Sequence, residues 1–173
     1  LDDIVNRQQT IKPDSILNKL REKIIKALNQ TGKKSEAKDG MDVAAIVIDH
    51  EKQILQYAGA YNPLYIMQNN EMVQIKGDKM PIAIHHVMKP FTLHEREIGT
   101  HDTIYIFSDG FPDQFGGELG RKFMYKRFRE HLYNLKKLPM DKQKENLYQT
   151  FLQWKGDYEQ VDDILVIGLR FLS

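Results

Sequence analysis

Three short apolar runs constrain this chain most: Val43–Ile48, Thr103–Phe107 and Ile164–Leu169. Each is too short for a buried helix or a membrane span and suits a strand packed in a core. Between the first and last of them the spacing predicts further strands over Gln53–Ala58, Leu64–Gln68, Met72–Lys76 and Phe91–Ile98, separated by Asn62-Pro63 and Asn69-Asn70 turns. Residues 1–31 read differently. Ile16, Leu17, Leu20, Ile24, Ala27 and Leu28 recur at three- and four-residue spacing, Pro13 suits a first turn, and Gly32 ends the helix ahead of a polar loop over Lys33–Asp39. Two more helices are expected, over Gly120–Leu135 and Met140–Trp154, before a closing strand over Ile164–Phe171. A helix, a meander of strands, a helix pair and a final strand point to an α+β fold, not a regularly alternating parallel one.

Length and charge narrow the class. The 173 residues suit one domain, 1–173, and 41% apolar residues can build its core. Twenty-five basic residues against 24 acidic ones leave a net charge of +1, which gives no reason to expect nucleic acid or an anionic membrane as partner. Without cysteine, disulfides, thiolate zinc sites and cysteine nucleophiles are excluded. No signal sequence opens the chain, so a cytoplasmic location is expected, with a membrane-anchored parent still compatible. The first residue is Leu1, not Met, which suggests a piece of a longer protein.

Two acidic sites stand at the ends of strands. Asp109, in Ser108-Asp109-Gly110, follows directly on Thr103–Phe107. A carboxylate there is costly to desolvate unless a cation or hydrogen bonds satisfy it. Gly110 lets the backbone turn sharply beside whatever binds. Asp162-Asp163 precedes the final strand, and adjacent carboxylates repel unless a metal or basic group compensates. Singly, each site is an ordinary turn. Together they place acids at the ends of two apolar central strands expected to be neighbours, and an all-oxygen donor set favours Mg²⁺ or Mn²⁺ over zinc. His85-His86 reads as structural or solvent-facing. Met80-Pro81-Ile82 is compatible with a segment over the site, and Asn62 with an approach to substrate. No phosphate-binding loop or G-x-S-x-G elbow is present.

The order of five motifs resembles the SpoIIE-type phosphatases, the bacterial branch of the metal-dependent PP2C-like (PPM) family. They are Asp39-Gly40-Met41-Asp42-Val43-Ala44, Tyr57-Ala58-Gly59-Ala60-Tyr61-Asn62-Pro63, Gly77-Asp78-Lys79-Met80-Pro81-Ile82-Ala83, Ile106-Phe107-Ser108-Asp109-Gly110-Phe111 and Gln160-Val161-Asp162-Asp163-Ile164. The resemblance implies an αββα sandwich of two mostly antiparallel sheets flanked by helices, with a binuclear Mn²⁺ or Mg²⁺ site. It carries metal ligation and catalysis to Asp109 and Asp162, gives Asp163 a supporting role, and counts Gly110 with the metal site. The implied reaction is hydrolysis of phosphoserine or phosphothreonine by a metal-activated water. Implied partners are a phosphoprotein such as a STAS-type anti-sigma-factor antagonist and an upstream sensor domain.

The chain departs from this family at one point. The G-D-x-x-D and D-x-x-G-H-G motifs that supply the remaining ligands are absent, and Asp39-Gly40-Met41-Asp42 cannot replace them because it follows the first helix. The expectation is an N-terminally truncated domain carrying about half of a metal site, inactive or nearly so alone, with exposed sheet edges that invite a homodimer. The alternative is a non-catalytic, partner-binding pseudophosphatase. A metal-dependent nuclease fits the aspartates but not the near-neutral charge or the absence of a basic groove in the sequence.

Overall fold

The computed structural model describes residues 1–9, 11–32 and 39–172. Residues 33–38 of the expected polar loop lie outside the described residues. After a short π-helical turn at Asp3–Arg7 come helix α1 (Pro13–Ala27) and strands β1 (Val43–Asp49), β2 (Ile54–Ala60), β3 (Leu64–Gln68), β4 (Glu71–Ile75), β5 (His94–Glu97) and β6 (Thr103–Phe107). A helical turn α2 (Gly110–Asp113), strands β7 (Phe115–Gly116) and β8 (Arg121–Lys122), helices α3 (Tyr125–Leu135) and α4 (Met140–Lys155), and strand β9 (Val166–Arg170) complete the chain. They form two compact units, Leu1–Leu64 with Ile75–Gly99 and Tyr65–Gln74 with Thr100–Ser173. The α+β class is as expected, but the meander is divided between two sheets.

In the first unit, one helix does not run over residues 1–31. Gln9 takes a positive φ of 50° and Lys12 is extended (ψ 131°), the conformation that a following proline imposes on its neighbour. Pro13 then opens α1, which stops at Ala27, before Gly32, as Asn29 enters the left-handed region at φ 49°. The sheet has the order β1-β2-β5, antiparallel throughout, with Val43 opposite Ala60 and Ile54 opposite Glu97. At the end of that order β1 is only half-buried along its length, so it is not covered on both faces as its unbroken apolar run suggests. Leu17 of α1 packs with Ala58, Ala60, Met80, Ile82 and Phe91. Met80 and Ile82 are therefore core residues of this unit. The carbonyl of buried Asn62 accepts the Tyr57 hydroxyl proton at 2.6 Å, which places this residue in a turn. Strand β5 is shorter than Phe91–Ile98 because Asp78 captures the backbone ahead of it, accepting from the Thr92 N–H at 2.7 Å and hydroxyl at 3.0 Å. The His85 and His86 rings do not point apart; their centroids lie 3.9 Å from one another.

The second unit is built on the order β4-β3-β6-β9. Strands β6 and β9 are antiparallel neighbours, from Thr103 opposite Arg170 to Phe107 opposite Val166. Phe107, Phe111, Phe123, Phe128 and Phe151 join Leu132 and Leu147 in one core, with the Phe111 ring 5.1 Å from Phe123 and 4.9 Å from Phe128. Strand β9 closes the order instead of occupying its centre, and its alternate residues Ile167 and Leu169 are exposed, as is Leu165 just ahead of it. The helix expected from Gly120 begins only at Tyr125, because Phe115–Lys122 folds as a hairpin whose turn uses Gly117 (φ 67°) and Gly120 (φ 57°). Among the described residues no helix is long and apolar enough to cross a membrane.

Candidate functional site

The ladder between β6 and β9 brings the two acidic motifs together. Past Phe107 the pairing continues one step, with the Ser108 N–H donating to the Leu165 carbonyl at 3.0 Å. The Ser108 hydroxyl then works in both directions. It donates to the Asp163 carbonyl at 2.8 Å and accepts from the Leu165 N–H at 2.9 Å. Next to it, a Cβ on Gly110 would stand 2.4 Å from the Asp163 carbonyl oxygen. Only a residue without a side chain lets the two backbones meet there. Ser108 and Gly110 thus clamp the Ser-Asp-Gly turn onto the Asp162-Asp163 loop, with Asp109 held between them in sequence.

The electrostatics follow from that clamp. Asp109 is half-buried, and its carboxyl is held above the ordinary aspartate range, first by burial and then by the negative charges of Asp162 and Asp113. Lys122 acts in the opposite sense on Asp109 and pairs with Asp113 at 3.0 Å. Asp162 is exposed, and one of its carboxylate oxygens accepts from the Asp163 N–H at 2.7 Å. Asp163 contributes through its backbone, donating to Asp162 and accepting from Ser108.

The donor set is therefore oxygen only, anionic and partly desolvated, which suits a hard divalent cation. Asp109 and Asp162 would supply part of the six or more oxygens such an ion takes. Among the described residues no group of three His, Asp or Glu side chains is placed to hold an ion unaided.

The structure brings Asp109, Gly110, Asp162 and Asp163, the residues singled out in the sequence, into one neighbourhood. Sequence reasoning missed Ser108 as the clamp, Asp113 as a third carboxylate and Lys122 as its counter-ion. Asp113 was within reach, since it lies four residues after Asp109 and α2 sets it on the same side of a helical turn. Replacing Ser108 with alanine removes one donor and one acceptor and leaves the Asp163 carbonyl and the Leu165 N–H without this partner. We expect a loss of about 2 kcal/mol in urea-induced unfolding, with an unchanged dependence on urea concentration.

The sequence model of Stage II sporulation protein E (SpoIIE) matches residues 5–172. No curated protein matches the chain. Among solved structures, the SiaA-PP2C domain of Pseudomonas aeruginosa superposes with a TM-score of 0.85 at 26% identity, over 98% of this chain and 65% of that one. The chain thus spans just under two thirds of that relative. The RsbU and RsbW domains of a Mycobacterium tuberculosis protein give a TM-score of 0.62 at 16% identity, over 91% of this chain and 46% of that one. The catalytic domain of the serine/threonine phosphatase PstP, in complex with two manganese ions, gives 0.59 at 15%, over 92% and 68%. The last two likenesses concern the fold alone. With the family's sequence model running through almost the whole chain, including both acidic motifs and the clamp between them, this protein belongs to the SpoIIE family of PP2C-type phosphatase domains.

Proposed function

We propose that the chain carries one side of a metal-dependent serine/threonine phosphatase centre, with Asp109 and Asp162 as its metal ligands. The observation that carries this reading is the placement of Asp109. Burial and two neighbouring carboxylates oppose its charge, and the fold nevertheless clamps it in place through Ser108 and Gly110. A bound cation would offset that cost, whereas a domain that only docked a partner would have no use for it.

Divalent cations at such a centre would lower the pKa of a bound water and neutralise charge on a phosphoryl group. The chain's own residues then divide the work. Asp109 and Asp162 offer carboxylate oxygens. Asp163 orients Asp162 through its N–H, and Gly110 keeps the space beside Asp109 narrow. The substrate class proposed is a phosphorylated signalling regulator, with a STAS-type antagonist as the first protein to try. The association of PstP with two manganese ions makes Mn²⁺ the first metal to try. Strand β9, at the end of the order β4-β3-β6-β9, is the edge through which a second copy would pair.

Two carboxylates hold such ions weakly, so the chain alone should bind Mn²⁺ in roughly the 10⁻⁴–10⁻³ M range and turn over slowly. Calorimetric titration with Mn²⁺, read beside p-nitrophenyl phosphate hydrolysis, tests this on the wild type, Asp109→Asn and Asp162→Asn. We expect each substitution to weaken binding by about tenfold or more and to remove any metal-dependent turnover. An identical response to Mn²⁺ in all three proteins would overturn the assignment and favour a partner-binding module.

A further inference from the structure

The hairpin, the start of α3 and Trp154 line an open groove of about 860 Å³ with the charge opposite to that of the acidic loop. Arg121, Lys122, Lys126 and Arg127 line it against only Glu118 and Glu130. Four cations against two acids leave +2 on this one surface, in a chain whose net charge is +1. All four basic residues are exposed. Arg127 is fixed over the Trp154 ring, 4.2 Å from its centroid, and Lys122 holds Asp113. Among the described residues, Arg121 and Lys126 make no side-chain hydrogen bond or ion pair.

Local stability does not account for this arrangement. Lys126 and Arg127 lie in the first turn of α3, where the helix dipole disfavours cations, and no acidic residue stands there to compensate. Met124, just ahead of α3, is a non-glycine residue at φ 78°, ψ 141°, a region in which side chains are strained. Its side chain and that of Leu119 are 57% and 73% exposed at the groove. The surface thus combines unpaired positive charge with open apolar side chains. It borders the Asp109 cluster through the Lys122–Asp113 pair.

We infer that this groove docks an acidic segment of the protein substrate, one carrying Asp or Glu and an apolar side chain beside the phosphorylated residue. The inference rests on the phosphatase reading for the phosphorylated residue and on the groove alone for the acidic flank. Charge complementarity selects the acid, and Leu119 and Met124 supply contact for the apolar side chain. A nucleic acid fits less well, because Glu118 and Glu130 line the groove and Asp113 holds Lys122, which leaves a short local excess of positive charge and not the continuous basic track that a phosphate backbone follows.

Trp154 is the chain's single tryptophan and lines the groove, so its emission reports occupancy directly. The test titrates metal-free protein with short serine peptides that have acidic or lysine flanks, each with and without phosphorylation. We expect the acidic flank to bind about tenfold more tightly than the lysine flank, whether or not the serine is phosphorylated, and the preference to shrink as salt is raised. The combined Arg121→Glu and Lys126→Glu variant should lose that tenfold preference or reverse it. Both positions are exposed, and far-ultraviolet circular dichroism checks the fold. Equal affinity for the two flanks, or no change in the variant, would overturn the inference. So would single-stranded DNA that binds more tightly than the acidic peptide and is lost in the same variant. Because the measurement uses no metal, a failed Mn²⁺ test leaves it standing. Metal-dependent hydrolysis without any flank preference would refute the docking groove alone.

Discussion

Replacing Gly110 with alanine should cost about 3 kcal/mol of stability and open the acidic site. The added Cβ would meet the Asp163 carbonyl oxygen at 2.4 Å, its carbon at 3.0 Å and Ile164 Cγ1 at 3.1 Å. The first two are backbone atoms, so no rotamer change relieves the clash and one loop must move. The Asp163 carbonyl is also the acceptor for Ser108, so moving it strains the bond that completes the clamp. Overpacking usually costs about 1–3 kcal/mol, and the backbone nature of the clash with the strained Ser108 bond places this case at the upper end. Against a domain stability of about 5–15 kcal/mol the effect is large. Gly168 in β9 is the control. A Cβ there meets no backbone atom, only the end of the flexible Met140 side chain at 2.7 Å, which can swing aside, and the Tyr105 ring at 3.3 Å, which need give by only a few tenths of an ångström. Urea unfolding should therefore show Gly168→Ala to be much milder than Gly110→Ala. Similar costs at both positions would mean that the two acidic loops are not locked together as described.

The fold was legible where local pattern and tertiary role coincide. Strands β3 and β6 have the bounds expected from their compact apolar runs, because nothing outside the ladder competes for their backbone. Elsewhere a distant group decided the outcome. The carboxylate of Asp78 and the amide of Asn18 hold Thr92 and Phe91, and β5 shrinks accordingly. The β7–β8 hairpin has two-residue strands and leaves no periodic trace, so Arg121 and Lys122 of β8 read as the start of a helix.

The site divides in the same way. Asp109 and Asp162 stand out in the sequence because acids at the ends of apolar runs are costly. The clamp is hidden, because Ser108 meets Asp163 only through the register that sets Phe107 opposite Val166. The basic groove is hidden too. No basic groove is expected from the sequence, and the structure corrects this: Arg121, Lys122, Lys126 and Arg127 come onto one face with Trp154 only when the hairpin folds.

Asp109→Asn should make the metal-free protein more stable at neutral pH and sharply weaken its response to Mn²⁺, so that the order of the two proteins reverses when the metal is added. The carboxyl of Asp109 is pushed up from its ordinary 3.8 by burial, with Asp162 and Asp113 adding repulsion that Lys122 offsets only in part. A group whose pKa is higher in the folded than in the unfolded chain binds its proton more tightly when folded. Its contribution to stability is complete below the ordinary value and is lost as pH rises through the folded one. At neutral pH, then, ionised Asp109 is a net cost, softened by solvent because the side chain is only half-buried. Asparagine keeps the shape and removes the charge. The two proteins should therefore converge in Tm well below pH 3.8, with the variant ahead by a small margin at pH 7. Adding Mn²⁺ at about ten times its Kd stabilises a binding-competent chain by about 1.4 kcal/mol. The wild type should gain that increment and overtake a variant that does not. If asparagine were the less stable form without metal at pH 7, Asp109 would be a structural hydrogen-bonding group, and the clamp around it would serve the fold and not a cation.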